Sequence, residues 1–318
     1  MTTPLTDIHI HAPPFEGPGG PEILRPTPLE NLFSAYLKRR LGISSTDPDP
    51  NGTYLKNLAR DIRNSESIEK GVVLPMDGVY DAKGELDRER TRFMVSSDTV
   101  FDSIKPYPEL LPGASVNPLR KDAIDDLERC AERGAVLVKV LPNTQGFDPS
   151  DKSLKPFWKK MADLGLPLLS HSGYEFALPV VDQSFGDPAR LLPALEEGVT
   201  VVAAHGGSTG ILVYEKYTDT VRGLLRGHPN FFLDLSATTL PTRAGMLLGL
   251  RDMPEAKGKL LFGSDYPVPA FTFPFIFSMP PGTLLTIRGE KNLFDRLFAL
   301  FSALGLELSD GPFGRPEG

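Results

Sequence analysis

The chain has 318 residues, long enough for two ordinary domains or one large α/β barrel. Its 41 acidic and 34 basic side chains give a net charge of −7 with no Lys/Arg-rich block, which argues against a nucleic-acid surface and for plain solubility. The single cysteine, Cys130, excludes an intrachain disulfide, and no apolar run approaches the roughly 18 residues of a membrane span.

The opening segment Met1–Asp7 lacks the basic and apolar regions of a signal peptide, so a soluble, cytoplasmic protein is expected. A strand follows at once, Leu5–His11, with Ile8 and Ile10 on one face and His9 and His11 on the other. Two imidazoles on one face can share a metal ion, and Pro13 and Pro14 stop the strand just beyond them. Asp7 shares that face two residues deeper, either orienting a ligand or satisfying buried donors.

From there short apolar runs alternate with stretches of helical periodicity. Strands are predicted at 68–76, 111–117, 135–141, 167–171, 200–205, 230–236 and 259–265, which with the first makes eight. Helices are predicted at 86–101, 122–133, 154–164, 188–197, 211–226, 242–252 and 284–304, with Gly134, Gly165, Gly198 and Gly227 where helix C-termini should turn. Successive steps from Lys139 to His171, His205, Ser236 and Asp265 are 32, 34, 31 and 29 residues, a regular strand-to-strand period. The expected fold is therefore α/β, a single closed (β/α)8 TIM barrel spanning 1–318. Its first connection, 12–67, breaks the period with a Pro/Gly-rich stretch, a helix near 29–41 and a polar turn at 44–53, and is expected to fold over the barrel mouth as an insertion or lid.

Four of the five histidines fall at the C-terminal ends of predicted strands: His9 and His11 on the first, His171 on the fifth and His205 on the sixth. A barrel brings those ends together, and closure sets Asp265, at the end of the eighth strand, beside the first. Imidazoles with a carboxylate suit Zn2+ or a similar borderline ion, with a position left for water. Lys139 interrupts the apolar run Val136–Leu141 and shares its face with Leu137, so it needs a carboxylate partner, a shifted pKa or chemical modification. His228 precedes its strand and lies at the opposite, stabilising face. Asn117, Arg120, Tyr174, Glu175 and Arg243 follow strands at the active face and are candidate substrate contacts, an Arg there being able to clamp a carboxylate. The run Phe271–Phe277 alternates aromatic residues, for packing, a pocket wall or a homodimer contact.

The set of His-x-His on the first strand, Lys139 on the fourth, His171 on the fifth, His205 on the sixth and Asp265 on the eighth resembles the amidohydrolase superfamily of metal-dependent hydrolases. Local wording, Asp7 to His11, Gln145-Gly146-Phe147 and Phe262 to Pro267, resembles the branch of aminocarboxymuconate-semialdehyde decarboxylase and related aromatic-acid decarboxylases. The resemblance implies that His9, His11, His171 and Asp265 bind one divalent ion, most often zinc, with His205 polarising the substrate and Asp265 moving its proton. In a binuclear variant, carbamylated Lys139 would bridge a second ion that His205 helps to hold; one ion is the preferred reading. The expected activity is hydrolysis of a small amide, lactone or related carbonyl compound by metal-activated water, with decarboxylation of an aromatic or unsaturated acid as the alternative and a non-catalytic metal-binding barrel as a third. One departure stands out: His205-Gly206-Gly207-Ser208 carries glycines and no nearby carboxylate.

Overall fold

The computed structural model describes residues 4–212 and 214–313. Eight parallel strands form the barrel: β1 (Leu5–His11), β3 (Ile68–Leu74), β5 (Leu110–Pro112), β6 (Val138–Val140), β7 (Leu168–Ser170), β8 (Val201–Ala203), β9 (Phe231–Asp234) and β10 (Leu260–Leu261). Two short strands outside it, β2 (Ile23–Leu24) and β4 (Phe93–Met94), pair antiparallel. The three-strand arc β1-β3-β5 and the five-strand arc β6 to β10 are closed by bridges Ala114↔Val138 and Ile10↔Tyr266. Backbone bonds Ala114 N to Leu137 O and His11 N to Tyr266 O, both 2.9 Å, hold these seams. All eight predicted runs carry a barrel strand.

Side-chain alternation sorts the apolar residues into two layers. Val138, Val140, Leu168, Val201, Phe231 and Leu260 face the surrounding helices, whereas Leu74, Leu137, Leu169, Val202 and Leu261 fill the barrel interior. On β1 the expected alternation fails. Asp7 pairs with Gly71 and Ile10 with Val73, so β1 carries one extra residue there, a bulge. As a result Ile8 joins the interior layer and Ile10 the outer one, so the two do not share a face.

The helices are α1 (Pro28–Arg40), α2 (Pro50–Arg63), α3 (Ser97–Ser103), α4 (Ala123–Glu132), α5 (Pro142–Gln145), α6 (Lys155–Asp163), α7 (Leu192–Glu196), α8 (Thr218–Gly227), α9 (Ala244–Arg251), α10 (Pro281–Gly289) and α11 (Leu293–Ala303). Several differ from expectation for identifiable reasons. The segment 44–53 is not all turn: Asp49 caps Gly52 N, Pro50 starts α2, and Tyr54, Leu55, Leu58 and Ile62 bury its inner face. Thus α2 fills the helix position between β1 and β3 and packs on β3. The predicted helix 86–101 shrinks to α3, because Asp81 and Asp87 accept backbone N–H groups in tight turns and β4 diverts to pair with β2. In 211–226 the helix begins only at Thr218; Glu215 instead binds Ser208, Thr209 and Tyr217, and position 213 lies outside the described residues. The span 284–304 breaks at Asn292, whose side chain caps α11. Gly134, Gly165 and Gly198 take left-handed φ of 86°, 64° and 89° after their helices, but Gly227 is the last residue of α8 with no such turn. Among the described residues no helix is long and apolar enough to cross a membrane.

Candidate metal centre and substrate cavity

The strand ends converge at one mouth. His9, His11, Lys139, His171, His205 and Asp265 all line a single cavity of about 660 Å³. Within it, His9, His205 and Asp265, all buried, each offer a ligand atom within 4.8 Å of the others. His11 reaches the cluster through Nε2, 3.0 Å from Asp265 Oδ1, and His171 through Nδ1, 3.1 Å from His205 Nε2. The strand ends are held in unusual backbone conformations: His205, Asp265 and Ala237 have φ of 61°, 60° and 52°. Non-glycine residues accept such φ only where the surroundings fix them, as at functional sites.

A second layer aims the imidazoles. Asp234 Oδ2 lies 2.7 Å from His9 Nδ1, while its Oδ1 accepts His205 N and Ser236 N at 2.9 Å. Because β10 stands between β1 and β9, the His9–Asp234 contact depends on Gly263, where a Cβ would sit 3.2 to 3.3 Å from the Cβ atoms of His9, Ser236 and Asp234. Ser236 Oγ adds contacts to His9 Nδ1 at 2.9 Å and His205 Nδ1 at 2.8 Å. Neither Asp234 nor Ser236 was expected at the site. The signal for Asp234 was present, since a carboxylate inside Phe231–Leu235 breaks an apolar run just as Lys139 does. Asp7 satisfies buried donors, accepting His9 N at 3.0 Å and Ser264 N at 3.1 Å, and burial pushes its carboxyl up to about 7.

The protonation pattern suits cation binding. Burial lowers His9, His171 and His205, with Lys139 adding to the effect on His9, and Arg243 on His171 and His205. Neutral imidazole is the ligating form. Burial acts to raise Asp265, but the hydrogen bond and charge of His11, with His9 and His205, outweigh it and hold the carboxylate well below its usual range. One buried donor set is left open: His171 Nε2 has no hydrogen-bond partner, and Glu175 Oε2 is 3.7 Å away. The His171 Nε2 thus turns toward Glu175, and the donor set that fits a divalent ion is the two imidazoles and one carboxylate of His9, His205 and Asp265, all within 4.8 Å of one another. Lys139 makes no ion pair among the described residues; its Nζ lies 3.2 Å from His9 Nε2, and burial brings it down to about 8.

The expected substrate contacts divide. Tyr174, Glu175 and Arg243 line the cavity. Asn117 and Arg120 do not. Asn117 spends its amide on Gly78 O and Gln145 O, both at 2.9 Å, and Arg120 is drawn to Asp126 at 2.9 Å and Asp77 at 3.4 Å. Their buried partners hold them in the wall of the fold. Phe33 and Leu37 of α1, with Phe176 and Leu178 after β7, supply much of the apolar lining. In the aromatic run, Phe275 is buried and Phe273 and Phe277 are exposed. His228 follows α8 at the N-terminal end of β9 and does not line the cavity. After β8, the carboxylate missing from the local sequence is supplied by Glu215, which ties down Ser208 and Thr209.

A (β/α)8 barrel with imidazoles and a carboxylate gathered at the C-terminal mouth defines the class of barrel hydrolases and lyases that work around such a centre. The chain belongs to the Amidohydrolase family, matched over residues 6–275. Its fold is shared with an uncharacterized TIM-barrel protein from Bordetella bronchiseptica, at 19% identity and TM-score 0.56, covering 95% of this chain and 100% of that one. It is similarly shared with 2,6-dihydroxybenzoate decarboxylase from Rhizobium, at 13% identity and TM-score 0.51 over 95% and 99% of the two chains. A dihydroxybenzoic acid decarboxylase from Polaromonas sp. JS666, solved with bound manganese and the inhibitor 2-nitroresorcinol, matches at 14% identity and TM-score 0.51 over 95% and 97%. No curated protein matches the chain by sequence.

Proposed function

We propose that this chain is a metal-dependent decarboxylase of an aromatic or otherwise unsaturated carboxylic acid. The observation that carries the proposal is one cavity in which a buried His/Asp cluster meets walls of Leu, Phe and Pro side chains, a shape for a flat apolar ring bearing an acid. The two decarboxylases of dihydroxylated benzoic acids that share its fold support the same choice, and their chemistry moves the hydrolase expectation to second place.

His9, His205 and Asp265, adjoined by His11 and His171, would hold one divalent ion, and Zn2+ and Mn2+ both accept this donor set. Bound there, the ion supplies positive charge that withdraws electron density from the acid and steadies the charge left behind. Loss of CO2 breaks one carbon–carbon bond and leaves its electron pair on the substrate carbon, which must then take one proton. That proton would come in through His11, whose Nε2 lies 3.0 Å from Asp265 Oδ1, with the ionised Asp265 relaying it to the carbon. His11 is 40% exposed at its side chain while Asp265 is 9%, so the pair leads from solvent to the buried cluster. Phe33 and Leu37 of α1 and the apolar residues after β7 would give the reacting ring an apolar wall. The lone Cys130, buried and free, suits a reducing cytoplasm.

Hydrolysis of an amide or lactone is the second reading, favoured by the same Asp265, which is as well placed to take a proton from water. The experiment is a panel of hydroxybenzoates, β-carbonyl acids, cyclic amides and lactones, with CO2 and hydrolysis products both measured and metal content determined in parallel. Metal-dependent CO2 release that is lost in Asp265→Asn supports decarboxylation. Hydrolysis without CO2 replaces it with the second reading, and a protein that takes up no divalent metal on titration refutes both.

A further inference from the structure

Arg243 is a buried cation without an anion. Its residue is 7% exposed, yet it forms no ion pair among the described residues. Its guanidinium donates only to backbone carbonyls, Nη1 to Ser172 O at 3.4 Å and Ser208 O at 3.3 Å, and Nη2 to Tyr174 O at 3.3 Å. These are long for a charged donor, whose bonds to carboxylate usually run about 2.7 to 2.9 Å. The carboxylates that influence it through space, Glu175, Asp265, Glu215 and Asp234, are all engaged elsewhere. Glu175 Oε1 accepts Ala177 N and Leu178 N, Glu215 holds Ser208 and Thr209, Asp265 holds His11, and Asp234 holds His9. Gly210 packs closely on the group, a Cβ there falling 3.1 Å from the guanidinium carbon, so the missing side chain keeps this edge of the cavity from being crowded at Arg243. Arg243 and Gly210 both line the cavity.

A guanidinium so placed calls for a substrate anion, and the question is which one. Holding the departing carboxylate would stabilise the charged ground state more than a transition state that is becoming neutral CO2, which raises the barrier. Holding a group that keeps its charge binds both states alike. We infer that Arg243 takes a second, non-reacting carboxylate, so that the preferred substrates are aromatic or unsaturated acids with two acid groups. The identity of the reacting group rests on the decarboxylase reading; the anion site itself does not.

The test separates the two. Calorimetry on the metal-loaded protein compares isophthalate, with two carboxylates, against benzoate, with one. The wild type should prefer isophthalate about a hundredfold, the size of a charged hydrogen-bonded pair. Arg243→Met should reduce that preference to within about threefold, and Arg243→Lys, which keeps the charge but not the fork, to about tenfold. If Arg243→Met does not fold, Arg243→Lys decides alone. No preference in the wild type, an undiminished preference in the variants, or equal weakening of both ligands with a lowered Tm, as a purely structural role would give, overturns the inference. Absence of CO2 release from hydroxylated aromatic acids with one and with two carboxylates overturns the decarboxylase reading and leaves the affinity comparison standing.

Discussion

Replacing Asp234 by Asn tests whether the outer carboxylate sets the ligating nitrogen of His9. In the wild type Oδ2 accepts from His9 Nδ1 at 2.7 Å, which places the ring proton on Nδ1 and leaves Nε2 as a lone pair facing the cluster. Oδ1 meanwhile accepts His205 N and Ser236 N, each at 2.9 Å, and the Ser236 hydroxyl. Asn keeps one oxygen for those donors and turns its NH2 toward His9. The imidazole must then accept at Nδ1 and carry its proton on Nε2, where it cannot bind a cation. Loss of an outer partner of this kind costs about 10- to 100-fold in metal affinity. Folding should survive, because the backbone donors stay paired. Asp234→Ala, by contrast, strands His205 N and Ser236 N at about 1 to 3 kcal/mol each, so roughly 2 to 6 kcal/mol of stability should go. The assays are metal titration against a fluorescent chelator and urea unfolding. An Asp234→Asn protein with wild-type metal affinity would refute the reasoning, and so would an Asp234→Ala protein of unchanged stability.

Arg120 is expected to act through the fold: Arg120→Met leaves Asp77 buried without its cation, Asp126 keeping Arg129, and should cost about 3 kcal/mol in urea unfolding while KM is unchanged. A raised KM at wild-type stability would return Arg120 to the substrate. Burial pushes the Cys130 thiol up to about 11, so below that pH it stays protonated and should resist a thiol reagent in the native protein at pH 8, then react fully in denaturant. Fast native labelling would show that α4 opens.

What the sequence made legible was what a regular period can carry. The spacing of Lys139, His171, His205, Ser236 and Asp265 located four strand ends within a residue or two and the fifth, that of β10, within four, because each unit of the barrel repeats the same strand, turn and helix. Local chemistry misled where a tertiary partner decided the outcome. Asn51-Gly52 reads as a turn, yet Asp49 and Pro50 start a helix whose apolar face the barrel buries. The charged stretch after Leu86 has helical spacing, but its aspartates close turns and its end is captured by β2. Asn117 and Arg120 sit after a strand, as predicted, and are taken up by Gln145 and by Asp77 with Asp126, partners that no spacing rule brings together.

Position on a strand end therefore locates the mouth but does not distinguish a side chain that faces a ligand from one consumed by the scaffold. The distinction lies in satisfaction. Arg120 has carboxylates around it and needs nothing more, whereas Arg243 and His171 Nε2 reach the cavity buried and incompletely partnered. The β1 bulge shows the same principle in the backbone. A regular strand would have put Ile8 with Ile10; the extra residue instead sends Ile8 into the barrel interior, and Gly263 leaves the gap through which His9 meets Asp234. The irregular strand and the missing side chain together place His9 Nε2 at the cluster, so the residue that first drew attention in the sequence depends for its function on two features that a period-two reading overlooks.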